Sequence, residues 1–242
     1  MTKHIYLLLK IRNFIRSFFF KGNDYYCPVC QKKSGLFITS KDGLRENAVC
    51  PSCGSFERQR FFMLVFNKFS FINPDKYTML DIAPTFCLQK VFKGNSNIEY
   101  VSFDISSPLA EIKGDITKMI FENNSFDIII CSHVLEHIEN DLTALSEINR
   151  VLKSNGKAFF QIPLDKKMKS TFEDKTITNP EQRKEIYGQS DHVRIYGLDF
   201  PERLEKTGWT YEIINCSDTF DESLIRKYCL LEDEQIFVCT KQ

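Results

Sequence analysis

The stretch that decides the fold is residues 123–163, NNSFDIIICSHVLEHIENDLTALSEINRVLKSNGKAFFQIP. Its largely apolar run Phe126–Cys131 predicts a buried strand, and the apolar spacing over Asp141–Lys153 predicts a helix. Asn155-Gly156 predicts the turn from that helix into a second strand, Lys157–Pro163. A strand, a helix and a strand in this order are typical of parallel strands joined by a helical crossover.

The same alternation continues on both sides of this stretch. Upstream, the sequence predicts strands at Tyr77–Ala83 and Ile98–Ile105, with a helix over Thr85–Phe92 between them. The predicted downstream elements are a short helix and two strands: Pro201–Thr207, Trp209–Cys216 and Gln235–Thr240. We therefore expect an α/β fold with a Rossmann-like, doubly wound and mostly parallel sheet, which binds its ligand beyond the carboxyl ends of the strands.

Three acidic residues follow three of the early strands, at positions where a nucleoside cofactor would lie. They are Asp81, Asp104 and Asp115. Any one of them alone is more typical of a helix cap or a turn. Their shared place behind successive strands favours a cofactor site.

With these acids, the chain resembles the class I S-adenosylmethionine-dependent methyltransferases, particularly the type-11 group. The segments that carry the resemblance are LDIAPT (80–85), VSFDIS (101–106), GDIT (114–117), NNSFDIIICSHVLEHI (123–138) and INRVLKSNGKAFFQIP (148–163). The last two are specific together and the first is weak. The resemblance covers roughly residues 75–242 and implies the seven-stranded sheet of that family.

The resemblance also implies S-adenosylmethionine as cofactor and roles for the matching residues. Asp104 would accept hydrogen bonds from both ribose hydroxyls and Asp115 from the adenine amino group, while the Ile116 amide would serve a ring nitrogen. Asp81 and the loop after the first strand would hold the methionine end. The cofactor-binding residues implied in this way are Asp81, Ala83, Pro84, Asp104, Ile105, Asp115, Ile116, Cys131, Ser132 and His133.

One departure from the family pattern is the turn Ala83-Pro84-Thr85, which stands where the family has a glycine-rich turn. Because side chains with a Cβ avoid positive φ, we expect this loop not to use that conformation and to approach the cofactor less closely. Pro84 can still begin the next helix at its first position. The loop leaves two alternatives, a modified cofactor site or a degenerate one.

The candidate acceptor site is the polar segment Pro180–Gly197. It contains YGQSDHVRIYG (187–197), which is similar to a signature of methyltransferase-like proteins with a leading zinc ribbon. The resemblance implies an acceptor pocket here, and the substrate-binding candidates are Arg183, Asp191, His192, Arg194 and Tyr196. The alternative is a hydrogen-bonded loop packed over the sheet.

A methyl transfer needs alignment of its reactants and, for a hydroxyl or amine acceptor, removal of a proton. Histidine suits the second task near neutral pH, so His192 or His133 is the predicted catalytic base. The string HVLEH (133–137) also matches the H-x-x-E-H pattern of zinc peptidases. Its position directly after a strand, without a long helix to present both imidazoles, argues against a peptidase.

Four cysteines stand in two C-P-x-C steps, and their spacing predicts a tetrahedral structural zinc site in a zinc ribbon: Cys27, Cys30, Cys50 and Cys53. Two disulfides or redox pairs are the alternative, but redox C-x-x-C motifs occur singly. Zinc-bound thiolates imply a reducing, cytoplasmic location. The other cysteines lie mostly in apolar runs and are expected to be buried free thiols: Cys87, Cys131, Cys216, Cys229 and Cys239.

Residues 3–20 predict a basic amphipathic helix. Its basic residues interrupt the apolar run and no small-residue cleavage site follows, so we do not expect a signal peptide. No apolar stretch is long enough to span a membrane. The helix either lies peripherally in a membrane interface or covers the body of the protein, which is the commoner arrangement.

We expect an amphipathic helix (1–22), a zinc ribbon with a connecting helix (23–72) and a methyltransferase domain (73–242). Residues 1–70 hold 12 Lys/Arg against 4 Asp/Glu in a chain of zero net charge, so this segment is basic and the remainder is acidic. We therefore expect residues 1–70 to bind an anionic partner or to pack against the acidic remainder of the chain.

The leading hypothesis is a methyltransferase acting on a small-molecule or glycan-like acceptor. An RNA methyltransferase with a zinc-ribbon RNA-binding module is the alternative, although an aromatic and basic stripe for stacking bases is absent. A non-catalytic methyltransferase-like scaffold is the third hypothesis.

Overall fold

The structure, a computed structural model, describes residues 2–41, 43–68 and 76–241. The predicted boundary near residue 72 lies outside the described residues. The chain divides into two compact units: a ribbon unit of residues 1–76, 84–99 and 214–236, and a sheet unit of residues 77–83, 100–213 and 237–242.

The regular elements are, in chain order, α1 (Thr2–Phe19), β1 (Tyr25–Cys27), β2 (Lys32–Ser34), α2 (Glu57–Lys68), β3 (Tyr77–Ile82), α3 (Phe86–Lys93), β4 (Ile98–Asp104), β5 (Ile112–Lys113), β6 (Phe126–Ser132), α4 (Asp141–Val151), β7 (Leu152–Gln161), β8 (Phe172–Glu173), α5 (Pro180–Tyr187), β9 (Arg194–Ile195), α6 (Phe200–Lys206), β10 (Trp209–Asn215), α7 (Cys216–Thr219), α8 (Glu222–Tyr228) and β11 (Gln235–Lys241). A single 3-10 turn, Leu135–His137, follows β6.

Within the ribbon unit, β1 and β2 form an antiparallel hairpin, and a separate antiparallel bridge joins Ile38 and Val49. Aromatic rings hold the helices of this unit together: Phe66 of α2 lies 5.4 Å from Phe92 of α3, centroid to centroid. Such edge-on pairs contribute about 0.5–1.5 kcal/mol beyond the area they bury.

Arg60 of α2 is fully buried in the ribbon unit. Its guanidinium donates to the backbone carbonyls of Ala48 at 2.9 Å, Ser55 at 2.8 Å and Tyr228 at 2.7 Å. Because a buried charge is tolerated only when its donors are satisfied, this arginine fixes the loops around it in one arrangement.

The sheet unit is built on a seven-stranded sheet in the order β10-β11-β7-β6-β3-β4-β5. The pairs β3/β6, β6/β7 and β4/β5 are parallel, and β11 runs antiparallel to β7. The predicted α/β fold with a mostly parallel seven-stranded sheet is therefore confirmed.

One detail of the prediction is wrong. Asn155-Gly156 does not separate α4 from the next strand, because β7 already begins at Leu152. The register passes from Phe126 opposite Leu152 to Ile128 opposite Lys157, so the Asn-Gly pair lies in an irregular part of β7.

The core of the sheet unit lies between the sheet and the helices α4 and α6. Ile148 of α4, Leu204 of α6 and Trp209 of β10 are all fully buried in one cluster with the strand residues. At about 25 cal/mol per Å² of buried apolar area, this cluster is the main source of stability for the elements that present the site.

The N-terminal helix is present, but its orientation differs from the commoner arrangement expected for it. Its apolar arc faces outward, and the exposed residues are Leu7, Leu8, Ile11, Phe14, Ile15, Phe18 and Phe19. Asn13 is buried, and Tyr6 packs against Phe86 with 5.0 Å between the ring centroids. The apolar face of α1 is therefore exposed rather than packed.

Among the described helices, none combines the length and the apolar character that crossing a bilayer requires.

Candidate functional site

The carboxyl ends of neighbouring strands bring the predicted cofactor residues to one edge of the sheet. Ile82 of β3 lies opposite Cys131 of β6, and the Ala83 amide donates to the carbonyl of Phe103 in β4 at 2.9 Å. The residues that follow these three strands, among them Asp104 and His133, therefore share an edge. This is where open α/β sheets bind their ligands.

Asp81 is buried in β3, one residue before the strand ends. The Tyr100 hydroxyl donates a hydrogen bond of 2.6 Å to its Oδ2 atom. Burial disfavours the carboxylate more than this bond favours it, and the pKa of Asp81 rises from 3.8 to about 7. Ionised Asp81 would gain most from a cationic ligand group such as an ammonium.

Ala83 and His133 both adopt positive φ, at +54° each. The expectation that the Ala83-Pro84-Thr85 loop cannot use positive φ is therefore wrong. The left-handed conformation costs an L-residue about 1–2 kcal/mol, so the chain holds strain at the ends of two adjacent strands. Pro84 also does not begin the helix, because Thr85 is the N-cap of α3.

Asp104 and Asp115 both use the Oδ1 atom to hold the turn that follows them. Oδ1 of Asp104 accepts from the amides of Ser106 and Ser107, whereas Oδ1 of Asp115 accepts from the Thr117 amide at 2.9 Å and its hydroxyl at 2.7 Å. The Thr117 bonds lower the pKa of Asp115. Among the described residues, the hydrogen bonds of both carboxylates go to Oδ1, and Oδ2 of each accepts none.

The remaining predicted cofactor residues differ in exposure. Ile105 is 72 % exposed beside Asp104, whereas the side chains of Ile116 and Cys131 are buried. The Ser132 hydroxyl donates to Oε1 of Gln161 at 3.0 Å, and the His133 amide donates to the carbonyl of Gln161 at 2.8 Å. Gln161 of β7 therefore fixes the end of β6.

The structure brings His192, distant in sequence, to two histidines of the turn after β6, so that three histidines surround one buried glutamate. His133 lies 3.2 Å from Glu136, measured from Nδ1 to Oε1, and the rings of His137 and His192 lie 4.7 Å apart. His192 is 6 % exposed, and burial, with the nearby His137, lowers its pKa despite Glu136. The Nε2 atoms of His133 and His192 have no hydrogen-bond partner among the described residues. Both predicted bases therefore keep a ring nitrogen unused.

Two of the predicted acceptor residues are deeply buried. The Arg194 guanidinium donates to Glu173 Oε2 at 2.8 Å and to the Leu135 carbonyl at 2.9 Å, and Tyr196 donates to Asp141 Oδ2 at 2.8 Å. These contacts hold the loop against the turn after β6. Direct contact of Arg194 or Tyr196 with an acceptor would require this network to open.

Arg183 and Asp191 lie closer to solvent. Arg183 pairs with Glu139 at 2.9 Å, and Asp191, 68 % exposed at its side chain, lies 3.3 Å from Nδ1 of His137. Of the five acceptor candidates, Asp191 and His192 are thus the two that border the histidine cluster.

The sequence of this region matches a known family. The family model described as "Methyltransferase domain" matches residues 66–160, the segment that contains Asp81, Asp104, Asp115 and His133. Residues 66–160 are therefore similar to a methyltransferase domain.

Other proteins resemble parts of this chain. Methyltransferase calH of Penicillium decumbens is 36 % identical over 87 residues, and an uncharacterised protein of Methanocaldococcus jannaschii is 47 % identical over 47 residues. These matches cover 35 % and 19 % of this chain, and only 22 % and 20 % of the relatives' own lengths.

A solved structure resembles a larger part of this chain than these two sequences do. The [4+2]-cyclase SpnF superposes with a TM-score of 0.52 at 13 % identity, covering 78 % of this chain and 84 % of SpnF. At this identity the likeness shows the fold alone, and the cyclase name illustrates that one fold carries different chemistries.

The chain also contains a cluster of four free cysteines in the ribbon unit. Sγ of Cys27 lies 3.6 Å from that of Cys53, and Sγ of Cys30 lies 3.8 Å from that of Cys50. A disulfide would need about 2.05 Å. A tetrahedron with metal–sulfur bonds of about 2.3 Å has edges of about 3.8 Å, so the four thiols fit one tetrahedral metal ion.

The Ser55 hydroxyl lies 3.3 Å from Sγ of Cys27 and 3.2 Å from Sγ of Cys53, where it can donate to a thiolate. Of the other five cysteines, four are buried as expected, and Cys229 is only partly buried.

Sequence reasoning missed several residues of these sites. In the sequence, Tyr100 is one of several aromatic residues in predicted strands, and Ser55 has the position of a helix cap. Glu136 stands inside the HVLEH string, but only the fold shows that it faces His192. Arg203, which pairs with Asp141 at 2.9 Å, carries no motif.

Proposed function

We propose that the methyltransferase domain binds S-adenosylmethionine across the carboxyl ends of β3 and β4 and methylates a small-molecule or glycan-like acceptor. The supporting observation is the shared edge that holds Asp81, Asp104 and the left-handed turns at Ala83 and His133. The match to the methyltransferase family supports the cofactor.

The residues at this edge suit the parts of that cofactor. Oδ2 of Asp104 would accept from the ribose hydroxyls, with the exposed side chain of Ile105 beside the adenine. Asp81 would face the methionine ammonium. The cofactor supplies a methyl group on a sulfonium, which is electrophilic without further activation.

The acceptor would be aligned beside the histidine cluster. The oxygen or nitrogen of the acceptor would face the methyl group that the bound cofactor would supply, and the cofactor's sulfur would be the leaving group. The acceptor proton passes to Nε2 of His133 or His192, the nitrogens without a partner among the described residues. Histidine can take that proton near neutral pH.

We also propose that the four thiolates bind zinc. The sulfur distances and the Ser55 hydroxyl support a closed, structural site, in which no position is left for water.

The exposed apolar arc of α1 supports a peripheral site for an anionic membrane surface. The helix contains no acidic residue and carries four basic ones, Lys3, Lys10, Arg12 and Arg16. Such a helix lies in the interface, with its apolar side chains in the lipid and its basic ones near the headgroups.

Calorimetric titration with S-adenosylmethionine and S-adenosylhomocysteine tests the cofactor. We expect saturable binding that Asp104→Asn weakens by about 10- to 100-fold, since hydrogen bonds to charged groups contribute about 1.5–3 kcal/mol. The amide oxygen of asparagine can still hold the Ser106 and Ser107 turn, so this variant removes mainly the ligand-facing oxygen.

Asp115 has a matched control in Asp174. Both carboxylates accept from the amide and hydroxyl of the threonine two residues on, at 2.7–2.9 Å. Asp115→Ala should weaken cofactor binding, and Asp174→Ala should not. Equal effects of the two variants, or no binding by the wild-type protein, would overturn the proposal.

A further inference from the structure

The cluster of Glu136, His137 and His192 has the donor set of a metal site. One ligand atom from each residue lies within 4.8 Å of the others. Glu136 and His137 belong to the turn after β6, whereas His192 follows α5, more than fifty residues later in the chain. The fold, not the local sequence, therefore assembles the cluster.

The contacts of both histidines favour the tautomer that binds a metal through Nε2. Nδ1 of His192 lies 3.2 Å from the carbonyl of Tyr187, and Nδ1 of His137 lies 3.3 Å from the carbonyl and from Oδ2 of Asp191. Carbonyl and carboxylate oxygens only accept hydrogen bonds, so the proton of each neutral ring is on Nδ1. Nε2 of each ring therefore presents a lone pair. Metal-binding histidines are fixed by the same kind of contact.

Glu136 and His192 also have buried polar atoms that the protein does not satisfy. Glu136 is 1 % exposed and His192 is 6 % exposed, yet Oε2 of the first and Nε2 of the second have no partner among the described residues. An unsatisfied buried polar atom costs about 1–3 kcal/mol, so both atoms point to a missing ligand. A cation would satisfy them together and neutralise the carboxylate.

The surroundings hold the three ligands in place. The Val193 amide donates to the Glu136 carbonyl at 2.9 Å, and Arg194 donates to the carbonyls of Leu135 and Ile138 on either side of the turn. Oε1 of Glu136 is held by Nδ1 of His133 at 3.2 Å, which leaves Oε2 for the ion. Rigid support of this kind keeps a metal site formed before the ion binds.

We propose that Glu136, His137 and His192 bind one divalent transition-metal ion of the Zn²⁺ or Fe²⁺ class, at a site separate from the four cysteines. Two imidazoles and one carboxylate are a donor set that these ions prefer. Three protein ligands leave a position open for an oxygen of the acceptor. This use of the open position rests on the proposed function, whereas binding of the ion does not. Because the ion would occupy Nε2 of His192, His133 is left as the base.

The test is metal stoichiometry and calorimetric titration with Zn²⁺ on full-length protein whose cysteine site is already loaded with one equivalent. We expect the wild-type protein to bind one further equivalent. Glu136→Gln and His192→Ala should weaken that second step by about 100-fold or more, since loss of a mere supporting contact already costs about 10- to 100-fold. Co²⁺ should give a second, thiolate-free absorption spectrum that the same variants remove.

His4→Ala is the matched control, because His4 is an exposed histidine on α1, and it should retain both equivalents. Glu136→Gln keeps the shape of the side chain, and the unfolding transition of each variant shows whether it folds. The proposal is wrong if the folded wild-type protein binds only one Zn²⁺, or if both folded variants retain the second. Titration with S-adenosylmethionine does not depend on the second metal ion, so it shows separately whether the proposed function is also wrong.

Discussion

Asp81→Asn should change how the stability of the sheet unit depends on pH. Folding raises the pKa of Asp81 from 3.8 to about 7, so the folded state holds a proton between these values that the unfolded state has lost. The contribution of Asp81 to the free energy of unfolding is thus complete below pH 4 and disappears as pH rises through 7. Linkage with these two values gives a loss of about 2.5 kcal/mol between pH 5 and pH 8.

The assay is urea unfolding followed by the fluorescence of Trp209, the single tryptophan, which is fully buried in the core of the sheet unit. All other titrating groups are common to both proteins, so the difference between their stability curves isolates Asp81. We expect the variant to gain about 2.5 kcal/mol relative to wild type from pH 5 to pH 8. Asp174→Asn, at an exposed turn, is the control and should show no such gain. Parallel curves for wild type and Asp81→Asn would show that folding does not raise the pKa of Asp81.

Three further variants test single residues. Ala83→Gly should stabilise the protein by about 0.5–1 kcal/mol in urea unfolding, because the relief of left-handed strain exceeds the entropy that glycine adds to the unfolded chain. The control Ala110→Gly, at ordinary φ, should destabilise the protein. Arg60→Gln should lower the free energy of unfolding of the ribbon unit by about 3 kcal/mol or more and accelerate zinc release, and Arg58→Gln, at a half-buried site, should do so far less. Phe14→Glu should reduce sedimentation with vesicles that contain anionic lipid, and undiminished binding would contradict the membrane surface proposed for α1.

The alternating pattern predicted most of the sheet because buried strands and amphipathic helices have periods that are visible in one sequence. Strands such as Phe126–Ser132 and helices such as Asp141–Val151 follow directly from that pattern. The two-residue strands β8 and β9 carry too little pattern to predict. They pair only because the fold brings Phe172 opposite Ile195.

The candidate site was harder to predict than the fold, for physical reasons. The acids at strand ends are visible in sequence, but the buried network around Arg194 depends on contacts with the turn at 135–139. The positive φ of Ala83 was also not predictable, because residues with a Cβ normally avoid this conformation. Backbone hydrogen bonds, such as that from the Ala83 amide to the Phe103 carbonyl, hold Ala83 in it.

A crystal structure with S-adenosylhomocysteine would show whether the cofactor lies across the ends of β3 and β4. We predict the ribose hydroxyls within hydrogen-bond distance of Oδ2 of Asp104, while Oδ1 still accepts from Ser106 and Ser107. We also predict the ammonium near Asp81. A ligand bound elsewhere, or a ribose that does not contact Asp104, would contradict the proposed cofactor site.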